Sequence, residues 1–130
     1  MADQNEILVG SIGWADLTID NAEEVKEFYA KVVGWKPAPV SMGDYEDFSM
    51  LSPDGKIPHA GICHNRGANK GLPSQWLIYI NVIDIKKSVS VCKELGGKVL
   101  FEPKQMGEFG KYSVIQDPGG AFCALFQPTK

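Results

Sequence analysis

Apolar residues fall at strand spacing and then at helix spacing, twice over, along this chain. Residues 8–19, LVGSIGWADLTI, read as a strand, and 20–35, DNAEEVKEFYAKVVGW, carry apolar residues at 25, 28, 29, 32 and 33, which is the spacing of a helix face. Asp20 is the predicted N-cap, Glu23 stands where it would complete a capping box, and Gly34 ends the helix. Strands follow around KPAPVSM and YEDFSML, then the turn SPDG at 52–55 and a strand near HAGICH. The order then repeats. QWLIYINV (75–82) is a strand, Asp84 caps a helix with Ile85, Val89, Cys92 and Leu95 on one face, and Gly96–Gly97 stop it. KVLFEPK and KYSVIQD are strands, DPGG is the turn that matches SPDG, and AFCALFQ is the last strand. The chain therefore reads as one domain made of two βαβββ modules, 8–64 and 75–128, joined by the Gly- and Pro-containing linker 65–74. A module this small buries too little surface to stand alone, so the two are expected to pack on each other.

Composition narrows the function classes. The 130 residues include 44% hydrophobic and 22% charged, ordinary for a globular protein, with a net charge of −3 and no basic stripe to track phosphates. No nucleic-acid partner is expected. The longest apolar runs, such as WLIYINVI, fall far short of the roughly 20 residues that span a bilayer, and no basic region precedes a hydrophobic one in MADQNEILVG. The expectation is a cytoplasmic protein with no membrane partner. Cys63, Cys92 and Cys123 are odd in number and lie in apolar stretches, as suits reduced thiols packed as small hydrophobes.

The segments FYAKVVGW, ELGGKV and DPGGAFCALFQ, in this order and spacing across nearly the whole chain, resemble the glyoxalase / bleomycin-resistance / extradiol-dioxygenase superfamily, the vicinal oxygen chelate proteins. The resemblance implies an α+β fold: two βαβββ modules forming one eight-stranded, incompletely closed, bowl-shaped sheet with helices outside and the ligand on the concave face. It also implies, for metal-dependent members, one His, Gln or Glu ligand on the first and last strand of each module. Counted from FY, GG and DPGG, those positions fall on Trp14, Leu77, Ala124 and, within a residue or two, Gly61. Their side chains offer no imidazole, carboxylate or thiolate. No metal and no other cofactor is expected.

Strand alternation lists what else would line the concave face. Ile12, Trp14, Asp16 and Thr18 share one face of the first strand, Leu77, Tyr79 and Asn81 that of its counterpart, and Phe122, Ala124 and Phe126 that of the last. His59 shares a face with Gly61 and Cys63. Trp14, Asp16, Thr18, His59, Leu77, Tyr79, Asn81, Phe122, Ala124 and Phe126 are the candidate ligand-binding residues. Ala124, a methyl group flanked by two rings, is either a notch for a ligand or packed core. Asp16 either reads a ligand or is solvated at the rim, and His59 is either a site group or a solvated histidine beside a turn. Met106 and Phe109 in PKQMGEFGKY form either a lid or a plain hairpin loop. Three readings follow: a metal-free protein binding a small apolar or aromatic molecule, a metal-dependent lyase or dioxygenase with non-standard ligands such as His59, Asp16 and Glu102, or a structural and interaction module. The first is favoured; a homodimer is one assembly open to it, the twofold dimer being the commonest among small soluble proteins, and the sequence does not fix the oligomeric state.

Overall fold

Two helices and eight strands account for both halves of the chain in the order β1 α1 β2 β3 β4 β5 α2 β6 β7 β8. The computed structural model describes residues 8–129. The strands are β1 (Ile12–Ile19), β2 (Lys36–Ser41), β3 (Glu46–Leu51), β4 (Pro58–His64), β5 (Trp76–Asn81), β6 (Lys98–Met106), β7 (Gly110–Gln116) and β8 (Phe122–Pro128). Helix α1 spans Ala22–Val33 and α2 spans Ile85–Glu94. No helix among the described residues is long and apolar enough to cross a membrane.

The chain divides into two compact units, Trp14–Trp76 and the stretch from Leu77 onward together with the residues leading to Gly13. In the first, the strand order is β2-β3-β4-β1, antiparallel except for the parallel pair β1–β4. Leu17, Phe48, Met50 and Ile62 project from one face and bury themselves with Ala22, while Val25 and Tyr29 of α1 cover them. Trp35 and Trp76 close this core around Tyr29, with ring centroids 5.9 and 5.4 Å from it, and the Trp76 indole donates to the Tyr29 hydroxyl at 3.0 Å. The second unit repeats the plan as β5-β8-β7-β6, with β5 and β8 parallel. Its core joins Ile85 and Val89 of α2 to Leu125, Val99 and Ile115. In each unit the helix takes one sheet face, so every second strand residue is left on the other.

Four local expectations are corrected. The first strand begins at Ile12 rather than residue 8, because Leu8–Ser11 close a turn in which the Ser11 amide bonds to the Leu8 carbonyl at 3.0 Å and Gly10 takes φ 85°. Helix α1 is flanked by Asn21 rather than Asp20; Asp20 lies in the turn after β1, and no side chain caps the helix. Phe28, Val32 and Val33 do not face the core, being half or more exposed, since Ala22, Val25 and Tyr29 already fill the space over the sheet. Leu95 likewise lies past the end of α2, exposed, just before Gly96. The Met106–Gly110 segment is a tight hairpin turn, with the Phe109 amide bonded to the Met106 carbonyl at 3.0 Å.

Asp84 does cap α2, accepting the Lys87 amide at 3.2 Å. Asp84→Ala is therefore expected to lower stability by about 1 kcal/mol, and Asp20→Ala to change it by less than about 0.5 kcal/mol. Urea unfolding of both variants followed by circular dichroism makes the comparison.

Candidate functional site

The helix-free face of the Trp14–Trp76 unit is polar at its centre. Leu17 points into the core, so Trp14, Asp16 and Thr18 point the other way, and on β3 and β4 Asp47, Ser49, Gly61 and Cys63 share that side. The Trp14 indole N–H donates to Asp16 Oδ1 at 2.6 Å. Asp16 stands opposite Gly61 in the ladder, and a Cβ built on Gly61 would overlap that same carboxylate oxygen. The absence of a side chain at 61 is what gives the carboxylate its place. Thr18, opposite Cys63, is buried, whereas Trp14 and Asp16 are half-buried and open to solvent.

One row further on, Asp47 is buried and accepts the His64 backbone amide at 2.8 Å, with His64 Nδ1 3.3 Å from the same oxygen. The Tyr45 ring packs edge-on against the imidazole, 5.5 Å between centroids. Burial, reinforced by the Asp16 and Asp47 carboxylates, pushes the Cys63 thiol far above its usual range. Burial first, then Asp117, also raises Cys123. Neither thiol is set up as a nucleophile.

In the other unit the corresponding face is filled by its own side chains. Leu125 points under α2, so Phe122, Ala124 and Phe126 lie on the helix-free side, with Tyr79 and Asn81 of β5 in register with Ala124 and Phe126. Tyr112 and Val114 of β7 stand opposite Phe126 and Ala124. Leu77, Tyr79, Tyr112 and Val114 are buried, and Ala124 has 0% of its surface exposed. The Tyr79 and Tyr112 rings lie 6.4 Å apart, and the Lys104 ammonium sits over the Phe101 and Tyr112 rings at 4.2 and 5.4 Å. Tyr112, Val114, Phe101 and Lys104 were not among the candidate residues; the alternation of KYSVIQ on β7 carries that signal for Tyr112 and Val114. Asn81 binds locally instead, its amide donating to the Ser11 hydroxyl at 3.0 Å.

The two units have equivalent ladders. Asp16 is paired with Gly61 on the parallel strands β1 and β4, and Tyr79 is paired with Ala124 on β5 and β8. In both, the first-strand position named from the family resemblance, Trp14 or Leu77, lies two residues before the paired one. The sequence profile of the Glyoxalase/Bleomycin resistance protein/Dioxygenase superfamily matches residues 11–124. The chain belongs to that superfamily.

Its relatives agree. A Mycobacterium tuberculosis (strain CDC 1551 / Oshkosh) protein provisionally named glyoxylase CFP32 is 31% identical over 134 residues, covering 100% of this chain and 50% of its own length. The anthracycline biosynthesis protein DnrV of Streptomyces peucetius is 25% identical over 129 residues, 91% of this chain and 47% of its own. The chain thus spans about half the length of these curated relatives. Among solved structures, methylmalonyl-CoA epimerase from Mycobacterium tuberculosis superposes with a TM-score of 0.60 at 14% identity, covering 100% of this chain and 94% of that one. A superfamily member from Vibrio splendidus 12B01 gives 0.59 at 16% identity, covering 90% and 99%. At these identities the structural likeness is one of fold.

The metal that some superfamily members use does not fit these residues. Indole, isobutyl and methyl groups at 14, 77 and 124, and no side chain at 61, supply no donor of the type a divalent ion takes. Among the described residues no group of three or more His, Cys, Asp or Glu is arranged to hold an ion. His59 is exposed, and the register skips between Met50 and Leu51 opposite it, pairing Pro58 and Ala60 but not His59. The nearby Asp54 carboxyl is held below its usual range, first by the Ser52 hydroxyl and then by the Lys56 amide. Glu102 is engaged elsewhere, 3.2 Å from Lys93, in a shallow groove of about 350 Å³ between α2 and β6.

Gly61→Ala is expected to displace the Asp16 carboxylate and to cost about 1–3 kcal/mol by overpacking, a loss largely recovered when Asp16→Ala is added. A double-mutant cycle read by urea unfolding measures that coupling. Ala124→Leu, with no exposed surface to grow into, should cost a similar amount, about 1–3 kcal/mol, and differential scanning calorimetry will show whether its melting temperature falls.

Proposed function

We propose that this superfamily member binds a small organic molecule, apolar or aromatic over most of its surface, on the helix-free sheet face, and that it does so without the superfamily's metal. The observation that carries the reading is the residue set at the four ligand positions, Trp14, Gly61, Leu77 and Ala124. None of these can hold an ion, yet the ladders around them are intact, with Asp16–Gly61 and Tyr79–Ala124 in equivalent register. The scaffold is kept while the metal chemistry is not. A sheet face of aromatic residues with a few placed polar groups is the usual make-up of a small-molecule site. Trp14, Asp16 and Thr18 supply that mixture in the Trp14–Trp76 unit, where Gly61 leaves the face low.

A thermal-shift screen of untagged protein tests the proposal. Aromatic metabolites and antibiotics are expected to include compounds that raise the melting temperature saturably, because a ligand that binds only the folded state stabilises it by mass action, about 2.7 kcal/mol at a hundredfold excess over Kd. Zinc, nickel, manganese and iron should give no saturable rise, and methylglyoxal with glutathione should not be turned over with nickel or zinc added. Stoichiometric metal in the purified protein, or chelator-sensitive turnover, would overturn the reading.

A further inference from the structure

The cores beneath α1 and α2 are closed without the outer face of either helix. Val25 and Tyr29 of α1, and Ile85 and Val89 of α2, point inward. On the outer face of α1 stand Glu24, Phe28, Lys31 and Val32, at the i, i+4, i+7, i+8 spacing that forms one stripe. Lys87, Val91, Glu94 and Leu95 form the same stripe on α2, with Leu95 closing the helix. The apolar members remain uncovered: Phe28 is 56% exposed, Val32 61%, Val91 39% and Leu95 72%. The charged members are spare. Among the described residues no ion pair or hydrogen bond engages the side chains of Glu24, Lys31, Lys87 or Glu94, whereas their neighbours are taken, Glu23 and Glu27 by Lys26 and Lys93 by Glu102.

The two stripes have opposite charge order. From the N-terminal end, α1 reads acid, apolar, base, apolar, and α2 reads base, apolar, acid, apolar. The order on α1 suits its own dipole, with Glu24 in the first turn and Lys31 in the last, while that on α2 opposes it, with Lys87 near the start and Glu94 at the end. The charges on α2 thus gain nothing from their own helix, but they match the other one. We infer that the outer faces of α1 and α2 are docking surfaces for a second copy of this chain, α1 of one copy lying parallel to α2 of the other with Glu24 against Lys87, Phe28 against Val91, Lys31 against Glu94 and Val32 against Leu95. Apolar burial supplies the attraction. The charges set partner and direction, since the antiparallel arrangement of the same two helices places Glu24 against Glu94 and Lys31 against Lys87, and like charges suppress it. Exposed ion pairs add little each, so the association is weak and reversible. It does not depend on the binding function proposed above.

Charge exchange at these exposed positions tests the docking by sedimentation equilibrium of the full chain at low salt, from micromolar to near-millimolar concentration, with circular dichroism as the check on folding. The wild type is expected to self-associate reversibly. Glu24→Lys and Lys87→Glu should each weaken that association by at least about tenfold, because each sets like charges together, and the chain carrying both should return to within about threefold of the wild type. Phe28→Ser should weaken it as well, and added salt should loosen the wild type. A wild type that stays monomeric at every concentration, or that associates no more tightly than the two single variants, would overturn the inference, and so would a double variant that fails to recover. Recovery of Glu24→Lys by Lys31→Glu instead of Lys87→Glu would overturn it too, assigning the contact to two α1 helices.

Discussion

Everything placed on the helix-free faces depends on the two-residue period of a strand under a single covering helix. Leu17, Phe48, Met50 and Ile62 commit one side of the first ladder to α1, and Leu125, Ile115 and Val99 commit one side of the second to α2. Once those residues are buried, Trp14, Asp16 and Thr18, and likewise Phe122, Ala124 and Phe126, have no other side to take. A slip of one residue would exchange the sets and send Asp16 into an apolar core. The penalty for an unpaired carboxylate there, added to the loss of apolar burial, fixes the register firmly. Local fits strengthen it, since Gly61 is the residue of β4 that stands opposite Asp16 and leaves room for its oxygen.

Equivalent ladders have been filled in different ways. Beside Ala124, the buried Tyr79, Val114 and Tyr112 turn the second face into packed side chains. Beside Gly61, the first face keeps two carboxylates and a thiol. Each carboxylate has a donor, the Trp14 indole for Asp16 and the His64 amide for Asp47, as buried or half-buried charge requires. Cys63, partly buried between these carboxylates, is a neutral thiol and serves as a small packing residue.

The periodicities made the element order legible, and Leu17 and Leu125, packed under the helices, fix the facing of β1 and β8; on β5 both faces are apolar, and it is Leu77 and Tyr79 that are buried while Ile78 is exposed. What escaped the sequence depends on tertiary space or on pairings distant along the chain. Phe28 and Val32 have helix spacing, but Val25 and Tyr29 already occupy the width of the sheet, so the rest of the apolar stripe stays outside. Asp20 is the residue the sequence points to as the cap, but β1 runs to Ile19 and the turn takes in both Asp20 and Asn21, so the helix starts one residue later, and Asn21 then makes no side-chain bond. Asp47 and His64 are 17 residues apart and meet only because β3 and β4 are neighbours. The position of His59 was hidden by the skip in register between Met50 and Leu51, which no spacing rule shows. Lys104 sits on the edge strand β6 and Tyr112 on its neighbour β7, whereas the ligand positions the resemblance implies lie on the first and last strands of a module.

Gly61 and Ala124 supply the strongest reason to look for function on the first face. If packing were the only demand, the alanine solution of the second unit was available at 61 as well, with an apolar residue in place of Asp16. Replacing a hydrogen-bonded polar pair by apolar groups of similar shape is often neutral or stabilising, whereas removing one partner alone is costly. The chain instead carries a glycine with its entropic cost in a strand, a charge held in a half-buried setting, and an indole turned to serve it. Three residues bear that arrangement together, and none of the three improves the core beneath α1, which is complete with Leu17, Ala22, Phe48, Met50 and Ile62. The glycine, the carboxylate and the indole thus answer to one another on the helix-free face, where the glycine makes room for the carboxylate and the indole N–H fixes its direction.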